Sequence, residues 1–129
     1  ADYGGKGRHH YRRIITMKIS AQSRDNHIVM KVEGSLSNEN MHQFDEALTH
    51  AIVQGRHVLL DLSDLNFINS SGLGLIIAKN NRAKSESLSL VLYGMSGEMS
   101  KLFTVTDLHK HLNIVETYDE ACAFLQGTH

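Results

Sequence analysis

The sequence predicts a single α/β domain, in which one mixed sheet of about four or five strands carries about four helices, packed mainly on one face. Apolar residues occupy every second position over residues 15–19 and 28–32, as in half-buried strands. Residues 57–62 are apolar almost throughout, as in a strand covered on both faces. From there on, strand-like and helix-like segments alternate. The 129 residues, 41% of them apolar, suit one globular domain.

The early elements each have a local signal. Arg24, Asp25 and Asn26 are turn residues, so the first two strands should form a hairpin. Residues 37–40 offer several N-caps for a first helix. The inner face of that helix is predicted from its apolar spacing to consist of Met41, Phe44, Leu48 and Ile52.

The later elements follow in the same way. Residues 88–93 read as another buried strand, and Ser96 is placed to cap the short helix after it. A last short strand is predicted at residues 114–115. Thr117 and Glu120 form the capping-box pattern that opens a final helix.

Between the strand at 57–62 and the next helix lies a short polar turn, followed by two adjacent serines. Ser70 and Ser71 fall where the N-cap of this helix is expected. Its core-facing stripe is predicted at Leu73, Ile76 and Ile77.

The chemistry of a hydroxyl at this position favours reversible modification. Unpaired backbone N–H groups and the positive end of the helix dipole would tolerate a phosphate there. Gly72 and Gly74 are expected to leave the surface bare, so that another protein can approach the backbone closely. The competing interpretation is that Ser70 is simply a helix cap.

The segment Asn69-Ser70-Ser71-Gly72-Leu73-Gly74 resembles the signature of the STAS family, in particular its anti-sigma-factor antagonists, which usually read Asp-Ser-Ser-Gly-Leu-Gly. The resemblance runs from about Met17 to Leu125. It includes Gly34-Ser35-Leu36, which looks like the family's turn after the second strand, and the third-helix pattern over residues 96–103. Asn69 stands where the family usually has Asp, and Ser37 where Asp commonly follows the glycine turn.

The resemblance implies partner switching without any cofactor. The unphosphorylated antagonist binds a serine-kinase anti-sigma factor, phosphorylation by that kinase releases it, and a metal-dependent, PP2C-type phosphatase resets it. On this pattern Ser70 is the phosphoacceptor. The implied partner-binding residues are Ser37, Asn69, Ser70, Ser71, Gly72 and Gly74. Leu75 is added to them because it lies off the core-facing stripe, on the side of the helix expected to face a partner. For Leu75, packing against the core is an equal alternative.

Two other functions stay open for such a domain. Some small STAS proteins resemble this chain but serve as cytosolic accessory subunits of lipid-transporting ABC systems. The same switch could also regulate secretion or biofilm formation instead of a sigma factor. The sequence names neither the downstream target nor the oligomeric state, which is open between monomer and weak dimer.

Composition and spacing argue against other classes of protein. A formal net charge of −1 gives no basic footprint for nucleic acid. Cys122 alone allows no internal disulfide, and no apolar run reaches the length that spans a bilayer, so we expect a cytoplasmic protein without membrane insertion. His109 and His111 match no established zinc pattern. No nucleophile has a placed histidine and acid, so no enzyme activity is expected.

Residues 1–16 differ from the rest because they are rich in glycine, histidine and arginine and lack apolar periodicity. We expect them to be a flexible extension, of vector or upstream origin, with Met17 as the natural start. A functional basic arm is the alternative. Residues 17–127 are expected to form the STAS domain.

Overall fold

Strands and helices alternate along the part of the chain that the computed structural model describes, residues 17–127. The predicted extension over residues 1–16 lies outside this range. The strands are β1 (Met17–Ser23), β2 (His27–Leu36), β3 (His57–Asp61), β4 (Leu65–Ile68), β5 (Leu90–Tyr93) and β6 (Asn113–Ile114). The helices are α1 (Met41–Val53), α2 (Ser70–Ser85), α3 (Gly97–Val105) and α4 (Tyr118–Leu125), with short 3₁₀ turns at Asn38–Asn40 and Leu108–Lys110.

All six strands join one mixed sheet. Its order is β1-β2-β3-β5-β6, and β4 pairs with the carboxyl-terminal part of β2, beyond the end of β3. The pair β1–β2 is antiparallel, as the predicted hairpin requires, and every other pair is parallel. The carboxyl ends of β2, β4 and β5 therefore meet at the same edge of the sheet.

The two faces of the sheet are covered unequally. Alternate residues of β3 and β5, such as Val58 and Leu60, join the main core with α1, α2 and α3. Leu59 and Val91 point the other way and form a smaller cluster with α4. Three described helices on one face and one on the other confirm the predicted architecture.

Strand β4 was not predicted. It lies inside the segment that we interpreted as a polar turn. The sequence does not indicate a strand there, because β4 is only four residues long and has Asn66 and Phe67 exposed. Its partner is β2, some thirty residues earlier in the chain. Short strands that depend on distant pairing carry little local signal.

Residues 34–36 were also interpreted wrongly, since they do not form a turn but continue β2. The register between β2 and β4 shifts between Gly34 and Ser35. Gly34 has a φ of 93°, a conformation that glycine adopts without steric cost. This bulge aims the end of β2 toward the start of α2.

Helix α2 is fixed in place from two directions. The Lys79 ammonium lies 2.6 Å from the Asp45 carboxylate of α1, and this hydrogen bond holds the pKa of Asp45 below its usual value. Asn80 is fully buried on the inner face of α2, where its amide donates to the carbonyl of His111 at 3.0 Å. Ile76 is buried as predicted, whereas Leu73 and Ile77 are only half-buried and flank the stripe.

We predict that the domain loses stability as the pH falls from about 7.5 to about 5.5. Burial lowers the pKa of His57 and, together with Arg24 and Arg56, that of His27. His57 Nδ1 accepts a hydrogen bond from the Ser89 N–H at 3.0 Å, so the folded state needs it unprotonated. The unfolded chain then binds more protons below the ordinary histidine pKa, which lowers the free energy of unfolding. Asp45 stays ionised over this range.

Urea unfolding at the two pH values measures this effect. His57→Asn keeps an acceptor near Nδ1 but cannot titrate, so its stability should fall less than that of the wild type. An equal or larger fall in the variant would contradict the assignment to His57.

Candidate functional site

Three helical segments begin at the edge where β2, β4 and β5 end. Ser37 follows β2 and precedes the 3₁₀ turn, Asn69 follows β4 and precedes α2, and Ser96 caps α3 after β5. The Ser96 hydroxyl accepts from the Met99 N–H at 3.2 Å, as predicted. Parallel strands bring their following loops to one edge, and such edges are common binding sites in α/β proteins.

Asn69 is the N-cap of α2. Its backbone is extended (φ −96°, ψ 178°), and its side-chain oxygen accepts from the Gly72 N–H at 2.9 Å. The carbonyl of Asn69 accepts the first helical hydrogen bond, from the Leu73 N–H at 3.1 Å. The prediction that Ser70 and Ser71 occupy the cap is therefore wrong by one residue. Asn caps at least as well as Ser, and here it holds the position.

Because Asn69 supplies the cap, the hydroxyl of Ser70 is not needed to cap α2. Ser70 and Ser71 are the first residues of α2 and both are exposed. Neither hydroxyl makes a hydrogen bond to another residue between 17 and 127. A free hydroxyl at the positive end of a helix is chemically suited to accept a phosphoryl group and to tolerate its charge.

The turn after β2 is tied to the start of α2 through two asparagines. The Asn69 amide donates to the side-chain oxygen of Asn38 at 3.2 Å. Within the turn, the Ser37 N–H donates to Asn40 Oδ1 at 3.0 Å, and the Asn40 amide donates to the Ser35 carbonyl at 2.8 Å. The turn that contains Ser37 is therefore hydrogen-bonded to the start of the helix that carries Ser70. Sequence reasoning missed Asn38, whose signal was only its place among potential caps.

The two glycines of the signature have different environments. Gly72 is buried, and a Cβ added there would lie 2.7 Å from Ile68 Cγ1 and 3.1 Å from Leu36 Cδ2. The prediction that Gly72 keeps the surface bare is therefore wrong, because it lets α2 pack closely on the strand ends. Gly74 is exposed, with open space where its Cβ would be.

Leu75 is half-buried and packs against the main core. This contact leaves part of the side chain accessible, so both predicted roles are compatible with its position. Among residues 37–40 and 69–75, the charged side chain is that of Glu39, to which the Ser37 hydroxyl donates at 3.2 Å. The site is otherwise neutral.

Residues 17–127 bring no three potential metal ligands together. Within the same range, no helix has the length and apolar character needed to cross a bilayer.

Comparison with known proteins identifies the family. The STAS domain model matches residues 18–121, which is most of the chain. The chain belongs to the STAS domain family. This confirms the resemblance drawn from the serine-glycine signature.

Relatives of this STAS domain include antagonists of anti-sigma factors. It is 26% identical over 102 residues to the anti-sigma-B factor antagonist of Listeria monocytogenes, covering 78% of this chain and 90% of the relative. A crystal structure of an anti-sigma factor antagonist from Mycobacterium paratuberculosis has the same fold, with a TM-score of 0.78, 18% identity, and coverage of 86% of this chain and 95% of that one.

The phosphorylated form of the Bacillus cell fate determinant SpoIIAA also shares the fold of this STAS domain. The TM-score is 0.66 at 21% identity, and the match covers 84% of this chain and 99% of SpoIIAA.

Capping by Asn69 leads to a direct prediction. Asn69→Ala should lower the free energy of unfolding by about 1 kcal/mol, because a helix N-cap is lost. Ser70→Ala should change it by less than about 0.5 kcal/mol, because the hydroxyl makes no hydrogen bond that folding depends on. Urea denaturation of both variants tests this. Equal losses would show that Ser70 shares the cap.

The glycine environments give a second matched pair. Gly72→Ala should cost about 1–3 kcal/mol of stability, because the new methyl group meets Ile68 and Leu36. Gly74→Ala should be neutral or stabilising by up to about 1 kcal/mol, because alanine favours the helix and meets nothing. Thermal unfolding ranks the two variants, and a stable Gly72→Ala protein would contradict the close packing.

Proposed function

We propose that this STAS domain is an anti-sigma-factor antagonist that binds a serine-kinase anti-sigma factor and is released when Ser70 is phosphorylated. The observation that carries the proposal is the exposed Ser70 hydroxyl at the first position of α2, unbonded within the described residues while Asn69 caps the helix. Asn69 alone caps the helix, so helix capping does not explain why Ser70 and Ser71 are also polar. Relatives named anti-sigma-B factor antagonists support the choice of partner.

The proposed binding surface is the edge of the sheet around Ser70. Ser37, Asn69, Ser71 and Gly74 lie with Ser70 on the linked loops and on the first turns of α2, and Leu75 contributes its accessible part. Gly72 acts from beneath by setting the depth of the helix. The bare backbone at Gly74 allows a partner to approach closely.

Electrostatics explains how the switch would work. A phosphoserine carries about −1.5 to −2 charges at neutral pH. In the middle of an interface complementary to a neutral hydroxyl, this charge loses water without gaining a matching cation. A penalty of only about 3–4 kcal/mol weakens binding by roughly 100- to 1,000-fold. The fold need not change, because the modified group sits on the surface at a helix terminus.

Asn69 influences this switch because its side chain is neutral. A carboxylate at the cap would lie beside the phosphate and repel it, whereas the neutral amide does not. Its nitrogen is also engaged with Asn38, so the cap keeps its orientation when Ser70 is modified. We propose that a PP2C-type phosphatase in the cytoplasm removes the phosphate and that the domain itself has no enzymatic step.

A second candidate function is that of a cytosolic accessory subunit of a lipid-transporting ABC system. The neutral residues at positions 37 and 69 favour it, because they depart from the acids usual in switch proteins. A switch that controls secretion or biofilm formation would use the same surface. These candidates differ from the first in partner and not in fold.

We predict that Ser70→Asp weakens binding to a serine-kinase anti-sigma factor by about 100-fold, whereas Ser70→Ala keeps it. Tagged variants are used to capture proteins from a lysate of the source organism, and the captured kinase is identified by mass spectrometry and purified. The purified kinase with ATP should phosphorylate the wild type and Ser71→Ala at Ser70, and should leave Ser70→Ala unmodified. The Kd of the Ser70→Asp variant should rise by about 100-fold.

Transporter subunits captured equally by both Ser70 variants would overturn the switch and favour the accessory subunit. A phosphate mapped to Ser71 would move the acceptor by one residue.

A further inference from the structure

Phe67 is an exposed aromatic residue next to the proposed phosphoacceptor site. Its exposed fraction is 51%, which is high for a large aromatic side chain. Only Ile68 and Asn69 separate it from Ser70 in the chain. Three extended residues span roughly 10 Å, so Phe67 and Ser70 lie within the footprint of one partner of ordinary size.

Strand β4, which carries Phe67, has an open edge. It pairs with β2 on one side. On the other side no strand accompanies it within residues 17–127, because β5 ends at Tyr93, opposite Asp61 of β3. Unpaired backbone N–H and C=O groups along such an edge can accept another extended segment.

A groove of about 540 Å³ runs between this edge and helix α3. Met99 and Leu102 of α3 contribute its apolar lining on one side, and Phe67 contributes on the other. Glu98, exposed in the first turn of α3, places a carboxylate at the groove. This carboxylate has no ion pair within the described part of the chain. We call this feature the β4–α3 groove, defined by Asn66, Phe67, Ser96, Glu98, Met99 and Leu102.

The lining specifies the chemistry of an occupant. An open strand edge selects an extended backbone. Phe67 and Leu102, the accessible apolar side chains in a lining that is otherwise mostly polar, select an apolar side chain, and the unpaired carboxylate of Glu98 selects Lys or Arg. A second copy of this chain fits less well. Within residues 17–127, the other large exposed apolar residues are Val53, on α1, and Val105, at the far end of α3. They do not extend Phe67 into the broad apolar face that a stable dimer needs.

We infer that the β4–α3 groove binds an extended segment of the same anti-sigma partner that contacts Ser70, with an apolar side chain on Phe67 and a basic side chain opposite Glu98. This inference rests on the proposed function and adds a second contact to it. The groove holds the partner, and the phosphorylation state of Ser70 sets how tightly the adjacent surface binds it. Phosphate at Ser70 then weakens only one half of the contact surface.

The test compares two groove variants with two matched controls. Phe67→Ala should raise the Kd for the purified kinase by about tenfold or more, as expected for an aromatic anchor. Glu98→Gln should raise it by about threefold and reduce its dependence on salt. Val53→Ala removes another exposed apolar side chain. Asp119→Asn removes an exposed carboxylate in the first turn of α4, which, like Glu98, has no ion pair within the described residues and lies on the opposite face of the sheet. Both controls should stay within about twofold of the wild type.

Binding is measured by calorimetry, with thermal unfolding of each variant as a check on folding. If Phe67→Ala melts early, Phe67→Leu separates the effects, because it keeps an apolar side chain of some size for the fold and removes the ring that the interface needs. Groove variants that bind as the wild type does, while Ser70→Asp still loses binding, overturn the groove and leave the proposed function intact.

Two further outcomes would overturn the assignment of the groove to the anti-sigma partner. A wild type that binds no serine kinase overturns the proposed function and the groove together. A dimer of the wild type that Phe67→Ala dissociates in sedimentation experiments assigns the groove to a second copy and overturns the assignment to the partner.

Discussion

The close packing of α2 on the ends of β2 and β4 sets the geometry on which the rest of the site depends. Gly72 makes this packing possible, since any side chain at this position would collide with Ile68. The bulge after Gly34 turns β2 toward the same point, and the parallel β2–β4 pair supplies the platform. Once α2 begins there, Ser70 must face solvent at the edge of the sheet.

Two neighbouring residues divide the tasks that a single cap residue could combine. Asn69 satisfies the helix terminus and binds Asn38, so the loops after β2 and β4 keep a fixed relation. The Ser70 hydroxyl makes no hydrogen bond to that framework within residues 17–127, so a change in its chemistry need not unfold the helix on which it sits. The proposed switch at Ser70 requires this separation of tasks.

The sequence predicted most of the fold and named the residues of the candidate site, although some details of both needed the structure. The hairpin, the buried strands, the Ser96 cap and the capping box of Thr117 with Glu120 all have local signals, and all are confirmed. Strand β4 escaped prediction because its pairing is distant and half of its residues are exposed. The cap was assigned one residue late because Asn and Ser are nearly equivalent there. Asn80 was missed because a polar residue on an inner face interrupts the apolar pattern.

The sequence by itself determined the family, the order of nearly all elements and the helix start that carries the serines, because these depend on local periodicity and on a short motif. Only the tertiary structure decided which residue caps α2, which glycine is buried and which loops meet at Ser70. These features depend on contacts between segments about thirty residues apart, such as Asn38 with Asn69 and Leu36 with Gly72. The groove beside Phe67 also depends on the tertiary structure. β5 ends at Tyr93, level with Asp61 of β3, and therefore does not extend far enough to pair with β4, whose outer edge stays open within residues 17–127.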